Sequence, residues 1–385
     1  MIRLKEKISF FSIPLSVFVV SRFVVFLGLI FSGNIPHNPG LPAEGAGSIA
    51  DLLMRWDSGW YKGIATSGYA PGPDGGIPLS VQFFPMYPLV AAALHKISGL
   101  SMPWSLFAIS NSCFLAALVF LYIFVKENYG EERALWTVLF ISFIPTSVFF
   151  SAGYTEAIAL LFITLSFYLI YRKRFFPAAL VIAMATATRF TMIALTAPLL
   201  WALIADERTR RNVPLTLGLM ALSASGVSLY MLFLWHGFSD FFAFGSVIGH
   251  WQTRSYTFAE TAAFVVVYRE FVSALYWGFT KGFSSSITNF IGIFIFLAFL
   301  ISSLWGLARY RRPEFLFAVL LLLLSYFGVA SKMGLVSIGR YSTLAFPALV
   351  VISGLNARAR SLLLAVLAAL LPLYAALFAR WYWIG

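Results

Sequence analysis

Apolar residues in this chain do not alternate with polar ones; they occur in long unbroken runs. The first covers residues 9–31 or so, and others follow at about 103–125, 133–152, 156–171, 177–204, 213–235, 286–308, 314–330, 341–356 and 361–380. About 20 apolar residues in a helix match the hydrocarbon thickness of a bilayer. Neither period-2 alternation nor an 18-residue amphipathic pattern competes with this reading. The pattern predicts an all-α polytopic membrane protein with about 9–11 transmembrane helices.

The polar punctuation between the runs predicts how they are threaded. Arg3, Lys5 and Lys7 precede the first run, which is long enough to span and is followed by no convincing cleavage site. It reads as an uncleaved first helix with its N-terminus in the cytoplasm. Lys126 with Arg133, Arg172 to Arg174, Arg208 to Arg211, Arg309 to Arg312, and Arg358 with Arg360 all fall on that same side if residues 32–102 lie outside. Sixteen of the 27 Lys and Arg residues then face the cytoplasm, in keeping with the positive-inside bias. The run 177–204 lies between two such clusters yet is too short for two full spans. It predicts a broken pair of short helices that enters and returns, with Arg189 near its tip. Ala183 and Ala187 form a small-xxx-small pair suited to close packing there. The chain thus reads as one membrane domain, 1–385, comprising a first extracytoplasmic loop at 32–102, core helices at 103–204 and C-terminal helices at 205–385.

Composition narrows the class. Hydrophobic residues make up 60% and charged residues 11%, against about 45–50% and about 25% for a soluble domain. A soluble globule, a disordered chain and collagen are excluded. The single cysteine, Cys113, allows no internal disulfide. The net charge of +12 arises from residues at the ends of apolar runs. It is therefore a topology signal, and no nucleic-acid partner is expected.

The candidate chemistry lies where polar residues interrupt this pattern. The first loop is rich in Gly and Pro and holds Glu44, Asp51, Asp57 and Asp74, four of the fifteen acids. Within RWDSGWYKGIATSGY (55–69), Leu53, Trp56, Trp60 and Ile64 recur at three- and four-residue steps, predicting an amphipathic helix flat on the membrane surface. Asp57 then points toward the bilayer boundary, unless it pairs with Lys62 or Arg55. Asp51, four residues before Arg55, fits an ordinary helical ion pair. VQFFPMYPLV (81–90) opens a second interfacial helix ending near His95 and Lys96. SAGYTEA (151–157) puts Glu156 at the outer mouth of the bundle, as a functional acid or as a structural partner of Arg189. An arginine at depth costs roughly 2.5–3.5 kcal/mol on insertion scales. Arg189 therefore needs an acid, backbone carbonyls or a ligand phosphate. SKMGLVSIGRY (331–341) places Lys332 and Arg340 outside, against the charge bias, where they bind a substrate or snorkel to headgroups. Phosphate-loop and dinucleotide fingerprints, a zinc spacing among His37, His95, His236 and His250, and a serine nucleophile elbow are all absent from the sequence. What remains is one or two outer carboxylates with cations nearby. That combination suits transfer from a lipid phosphate to a hydroxyl: a carboxylate base for the acceptor's proton and a cation for the departing phosphate.

Trp56-Asp57, Tyr61, Ile64-Ala65, Gly68-Tyr69 and Phe83-Phe84-Pro85-Met86-Tyr87-Pro88 resemble the first luminal loop of the PIG-V family, which includes GPI mannosyltransferase II. Tyr154-Thr155-Glu156 is similar to its Tyr-Ser-Glu turn, and Ala187-Thr188-Arg189 to its Ala-Thr-Arg stretch. Gly339-Arg340-Tyr341 and Phe346-Pro347 look like the ending of prokaryotic members. The resemblance implies a GT-C-type bundle and an inverting glycosyltransferase that uses a polyprenyl- or dolichyl-phosphate sugar, usually mannose. It implies Asp57 as the base, Glu156 as a further acid, and Arg189, Lys332, Arg340, Trp56, Tyr61 and Tyr341 as substrate-binding residues. Neither a metal nor a cofactor is expected with a monophosphate-linked donor. Partners would be that donor, a glycan or glycolipid acceptor, and membrane lipid. Arg189 is followed by Phe190-Thr191 where eukaryotic members carry Asn-Gly, so the GPI acceptor is not carried over. The outer loops contain no Asn-X-Ser/Thr sequon, which favours a prokaryotic plasma membrane, with the site facing outside, over the endoplasmic reticulum. Two other readings are a transporter or flippase of a lipid-linked sugar and a non-catalytic subunit; the sequence carries no internal repeat of the kind transporters show.

Overall fold

A computed structural model describes residues 2–39, 41, 48–72, 76–251, 254–281 and 285–385, with side chains of 2–10 and 277–286 outside the description. Glu44 and Asp74 lie outside the described residues, as do the side chains of Arg3, Lys5 and Lys7. The described elements are all helices, with no strand among them. Six are long and apolar enough to cross a membrane: Phe11–Asn34, Met102–Tyr129, Val213–Phe238, Ile287–Tyr310, Pro313–Met333 and Ala357–Ala379. Three shorter apolar helices, Glu156–Tyr171, Phe175–Thr186 and Phe190–Ala205, complete the apolar bundle. The protein is a multi-pass membrane protein.

The basic clusters meet at one face. Arg172 reaches Glu127 at 2.6 Å, Lys173 reaches Asp206 at 3.0 Å, and Arg360 reaches Glu132 at 2.5 Å. Arg133 donates to the Tyr310 hydroxyl at 2.8 Å. The Lys173–Asp206 pair also joins the two ends of the 177–204 run. That run consists of a helix, Phe175–Thr186, a turn through Arg189, a 3-10 segment, Phe190–Leu195, and a helix, Thr196–Ala205.

At the opposite face the backbone becomes irregular, and the freed polar groups have partners. The Glu131–Phe143 helix stops because Pro145 disfavours helical geometry at Ile144, whose ψ is 138°. The buried 3-10 segment Pro145–Phe150 follows. Arg22, inside the first helix, inserts its guanidinium into this break. It donates to the Ser147 carbonyl at 2.9 Å, the Ser142 carbonyl at 3.2 Å and the Ser151 hydroxyl at 3.0 Å. Non-helical backbone at membrane depth needs such partners.

The helix boundaries of the first loop differ from their prediction in one respect. The helix begins at Ser58, not near Leu53, because Trp56 adopts a left-handed conformation (φ 55°) that ends any helix through it. Ile49–Leu52 forms a separate turn. The second interfacial helix covers Met86–Ser98 and ends at Gly99, whose φ of 71° is readily reached only without a Cβ.

Candidate active site

The bend at Trp56 aims Asp57 into the bundle. Tyr154 holds the bend from both sides: its hydroxyl accepts the Asp57 backbone N–H at 3.1 Å and donates to the Arg55 carbonyl at 3.2 Å. Burial, and then the nearby Asp57 charge, push the Tyr154 phenol well above its ordinary range, so it stays a neutral hydroxyl. Arg55 Nε donates to the Ala379 carbonyl, with its guanidinium over the Trp381 ring. Asp51 accepts instead from the Ser48 hydroxyl at 2.7 Å, as part of a helix cap. Neither Lys62 nor Arg55 supplies the partner of Asp57.

That partner is Arg340. Its Nη1 lies 2.9 Å from Asp57 Oδ2, and its Nε lies 3.4 Å from Glu156 Oε1. Glu156 Oε1 also meets Arg189 Nη1 at 3.2 Å. Two carboxylates and two guanidiniums therefore alternate in the order Asp57, Arg340, Glu156, Arg189. Tyr341 closes the row, accepting from Arg340 Nη2 at 3.0 Å while Arg189 lies over its ring. Burial disfavours the charge on Arg340, but Tyr341, Glu156 and Asp57 outweigh it and hold the guanidinium well above its ordinary range.

Exposure separates the two acids. The Glu156 side chain is 2% exposed, behind the arginines, whereas that of Asp57 is 24% exposed. Asp57 Oδ1 has no partner among the described residues and faces a cavity of about 360 Å³. Trp56, Tyr61, Arg189, Arg340 and Tyr341 line the same cavity. A second cavity of about 400 Å³ adjoins it, sharing Gln82, Arg189 and Tyr341 and otherwise lined mainly by Phe84, Phe190, Phe244, Leu324 and Phe327. Arg189 therefore stands at the junction of a polar chamber and an apolar one. Lys332 lines neither cavity. Between it and Arg340 the chain turns twice through positive φ, at Gly334 (65°) and Ser337 (70°), so the two cations point to different places.

The framing of the chamber explains several aromatic residues in the first loop. Tyr69 donates to the Phe83 carbonyl at 2.5 Å, and Tyr230 to the Val81 carbonyl at 2.6 Å. Tyr61 packs edge-on against Phe83 and Tyr87. The Met86 N–H bonds the Ala187 carbonyl at 3.1 Å, tying the Pro-rich segment to the broken helix that carries Arg189. Sequence reasoning passed over Gln82, Trp251 and Trp383, which also line the chamber. The one sequence signal of the two tryptophans, an aromatic residue beside a membrane boundary, is common to most membrane proteins, and Gln82 carries none. Among the described residues no three His, Cys, Asp or Glu side chains gather as metal ligands.

Comparison with known proteins supports this architecture. Residues 81–234 match the family model for dolichyl-phosphate-mannose-protein mannosyltransferase. No curated protein matches the chain. Among solved structures, the oligosaccharyltransferase of Archaeoglobus fulgidus in complex with Zn and sulfate superposes with a TM-score of 0.54 and 13% identity, over 95% of this chain and 53% of that one. The same organism's oligosaccharyltransferase AglB, in complex with an inhibitory peptide and a dolichol-phosphate, gives 0.50 and 13%, over 95% and 55%. The apo form gives 0.51 and 12%, over 96% and 56%. The chain spans about half the length of these structures. The chain shares its overall fold with these oligosaccharyltransferase structures.

Proposed function

We propose that the protein is a glycosyltransferase that moves a sugar, mannose by its PIG-V-like motifs, from a polyprenyl- or dolichyl-phosphate to a hydroxyl of a glycan or glycolipid. The observation that carries this reading is the state of Asp57: one carboxylate oxygen is fixed by Arg340 and the other is open on the chamber. A base must lie within hydrogen-bond reach of the proton it takes, and Asp57 is the carboxylate so placed.

In the reaction, the acceptor oxygen attacks the anomeric carbon while its proton passes to Asp57. The bond from that carbon to the phosphate oxygen breaks, and the lipid phosphate leaves with the electron pair. A phosphate is a good leaving group, so no general acid is called for. Arg189, whose ion pair among the described residues is with Glu156 and which is shared with the apolar cavity, takes the departing phosphate; the isoprenoid lies on the apolar side. Arg340 orients Asp57, and Glu156 orients both arginines from behind. Attack from the face opposite the phosphate gives inversion. The tail stays in the bilayer, which accounts for a site at the membrane surface, on the extracytoplasmic side of a prokaryotic plasma membrane.

The test uses purified protein in lipid nanodiscs with radiolabelled polyprenyl-phosphate-mannose, with and without host membrane extract as acceptor source. Extract-dependent release of polyprenyl phosphate, with label entering a glycan or glycolipid, is the expected result. No release from mannose, glucose or other lipid-phosphate sugars would remove the reading.

A further inference from the structure

Two short segments wall three cavities. In the first loop, Gln82 and Phe83 line the chamber, Phe84 the 400 Å³ apolar cavity, and Pro85 and Met86 a third cavity of about 750 Å³. In the broken helix, Ala183 and Ala187 line the third cavity, Thr188 the chamber, and Phe190 the apolar cavity. The bond from the Met86 N–H to the Ala187 carbonyl ties the two segments together. The third cavity shares no lining residue with either of the others.

Its wall accepts hydrocarbon and little else. The hydroxyls on it are already committed: Tyr69 donates to the Phe83 carbonyl, Tyr230 to the Val81 carbonyl and Ser225 to the Leu222 carbonyl. A sugar or a phosphate moved there would give up water for no partner. Leu229 and Phe233 line the cavity and are exposed on Val213–Phe238, a helix that can span the membrane, so the cavity opens sideways to lipid.

Which lipid chain it takes follows from its place relative to the base. Asp57 precedes the helix Ser58–Ser67; Tyr61, one turn on, lines the chamber, and Ile64 and Ala65, a turn further, line the third cavity. That helix contributes nothing to the 400 Å³ cavity, which holds Arg189 instead. In an inverting displacement the acceptor with its base stands on one face of the sugar and the leaving phosphate on the other. The base's helix leads to one apolar compartment and the phosphate's arginine opens on the other. We propose that the third cavity holds the hydrocarbon chain of a lipid-anchored acceptor. Its polar head spans the roughly 12 Å that eight helical residues separate Ala65 from Asp57. This rests on the glycosyltransferase reading and narrows its acceptor to an amphiphile with a short head.

The experiment divides host membrane extract by solvent partition and offers each fraction to the full chain in nanodiscs with radiolabelled polyprenyl-phosphate-mannose. The expected result is transfer with the lipid fraction alone, into a product that stays in the organic phase. Ala65→Phe and Ala92→Phe add a ring at the cavity wall. Each should raise the half-saturating amount of that fraction at least about tenfold, as for two displaced methylenes. The donor KM should stay within about twofold. Gly328→Phe, on the wall of the 400 Å³ cavity with open space around it, should do the reverse. Dodecyl α-D-mannopyranoside with a diazirine in its chain reads binding without turnover. It should photolabel peptides 58–67 and 86–98, with labelling displaced by the lipid fraction and lost in Ala65→Phe. If both filled variants leave acceptor half-saturation unchanged, whichever fraction serves, the acceptor cavity is overturned and the transferase stands. A rise in donor KM in the same two variants would give the cavity to the donor's isoprenoid and overturn the proposal. So would labelling that dioleoylphosphatidylcholine displaces as well as the lipid fraction does, or no labelling at all. Labelling displaced by the lipid fraction alone, in a protein that transfers no sugar from any donor, would sustain the amphiphile site and remove the transferase.

Discussion

Arg340 and Asp57 are 283 positions apart in the chain, yet the guanidinium Nη1 lies 2.9 Å from the carboxylate. The pair joins the first loop to the segment after Pro313–Met333. It also leaves Arg340 bound to Glu156 on its other side. Deleting the charge of Asp57 therefore removes the open carboxylate without stranding a buried cation. Asp57→Asn should insert and fold normally, with an unchanged elution volume and melting curve, and lose about 10²–10⁴-fold in kcat, the usual share of a general base. Retention of more than about a tenth of wild-type turnover would assign the base elsewhere.

Arg189 makes a sharper test of how the phosphate is held. A guanidinium fork fits a phosphate with two parallel hydrogen bonds, and an ammonium cannot reproduce them. Arg189→Lys should raise KM for the lipid-phosphate donor at least about tenfold, or 1.4 kcal/mol, with a smaller change for the acceptor. Lys332→Ala, a cation off both cavities, should leave both constants within about twofold. Steady-state kinetics with each substrate varied in turn reads both. Equal effects of the two substitutions would place the phosphate away from the junction of the cavities.

The residues of the candidate site were legible because each is a polar residue in the wrong surroundings. Glu156 and Arg189 stand out in apolar context, where charge carries a strong prior for function; Asp57 stands out in an acid-rich loop at the membrane boundary, and Arg340 as an outer cation against the charge bias. Their pairing was only partly legible. Glu156 with Arg189 was foreseeable as one of two alternatives, but Arg340 with Asp57 was not, since nothing local relates positions so distant. Lys332 carried the same signal as Arg340, and only the backbone reversals at Gly334 and Ser337 separate them. Trp56 fitted a helical period, and the period failed because Tyr154, a hundred residues on, captures the backbone on both sides of it. That Trp251 and Trp383 line the chamber could not be read at all, since a tryptophan near a membrane boundary has an ordinary explanation in sequence.

Arg22 shows how the site is held up from below. Its guanidinium bonds the Ser142 and Ser147 carbonyls and the Ser151 hydroxyl and lies 4.7 Å from the Phe114 ring centre, with no acid among these partners. The segment it clamps runs directly into Tyr154 and Glu156. Arg22→Met keeps the apolar stem but removes the donors to the Ser147 carbonyl and the Ser151 hydroxyl, while the Ser142 carbonyl keeps the Ser147 hydroxyl at 2.8 Å; a buried polar group left unpaired costs about 1–3 kcal/mol. The melting temperature in detergent should fall by several degrees. Arg22→Lys retains the charge and one or two bonds, so it should fall between wild type and Arg22→Met. A melting temperature unchanged in Arg22→Met would mean that the Pro145–Phe150 segment is fixed by packing alone.

The last prediction concerns the helix pair behind the broken segment. Val213–Phe238 crosses Phe175–Thr186 so closely at Gly226 that a Cβ placed there would lie 1.9 Å from the Ala183 carbonyl oxygen and 2.8 Å from the Ala187 N–H nitrogen. Ala183 and Ala187, the small residues of the sequence pattern, thus meet the neighbouring helix at Gly226. The Thr186 hydroxyl, at 2.7 Å, can turn away, but the other two obstructing atoms are backbone, so no rotamer change relieves the contact and the helices must separate. Gly226→Ala should destabilise the protein by about 1–3 kcal/mol, as overpacking of a close contact does. It should also weaken donor use, because the Ala187 carbonyl holds Met86 and Arg189 follows two residues on. Gly218, on the same helix, has open space around the same position. There the alanine only improves helix propensity, by about 0.5–1 kcal/mol. Opposite shifts in melting temperature for two identical substitutions eight residues apart would establish that contact, not propensity, governs this helix. Matching shifts of the same sign would show that the two helices are not in contact at Gly226.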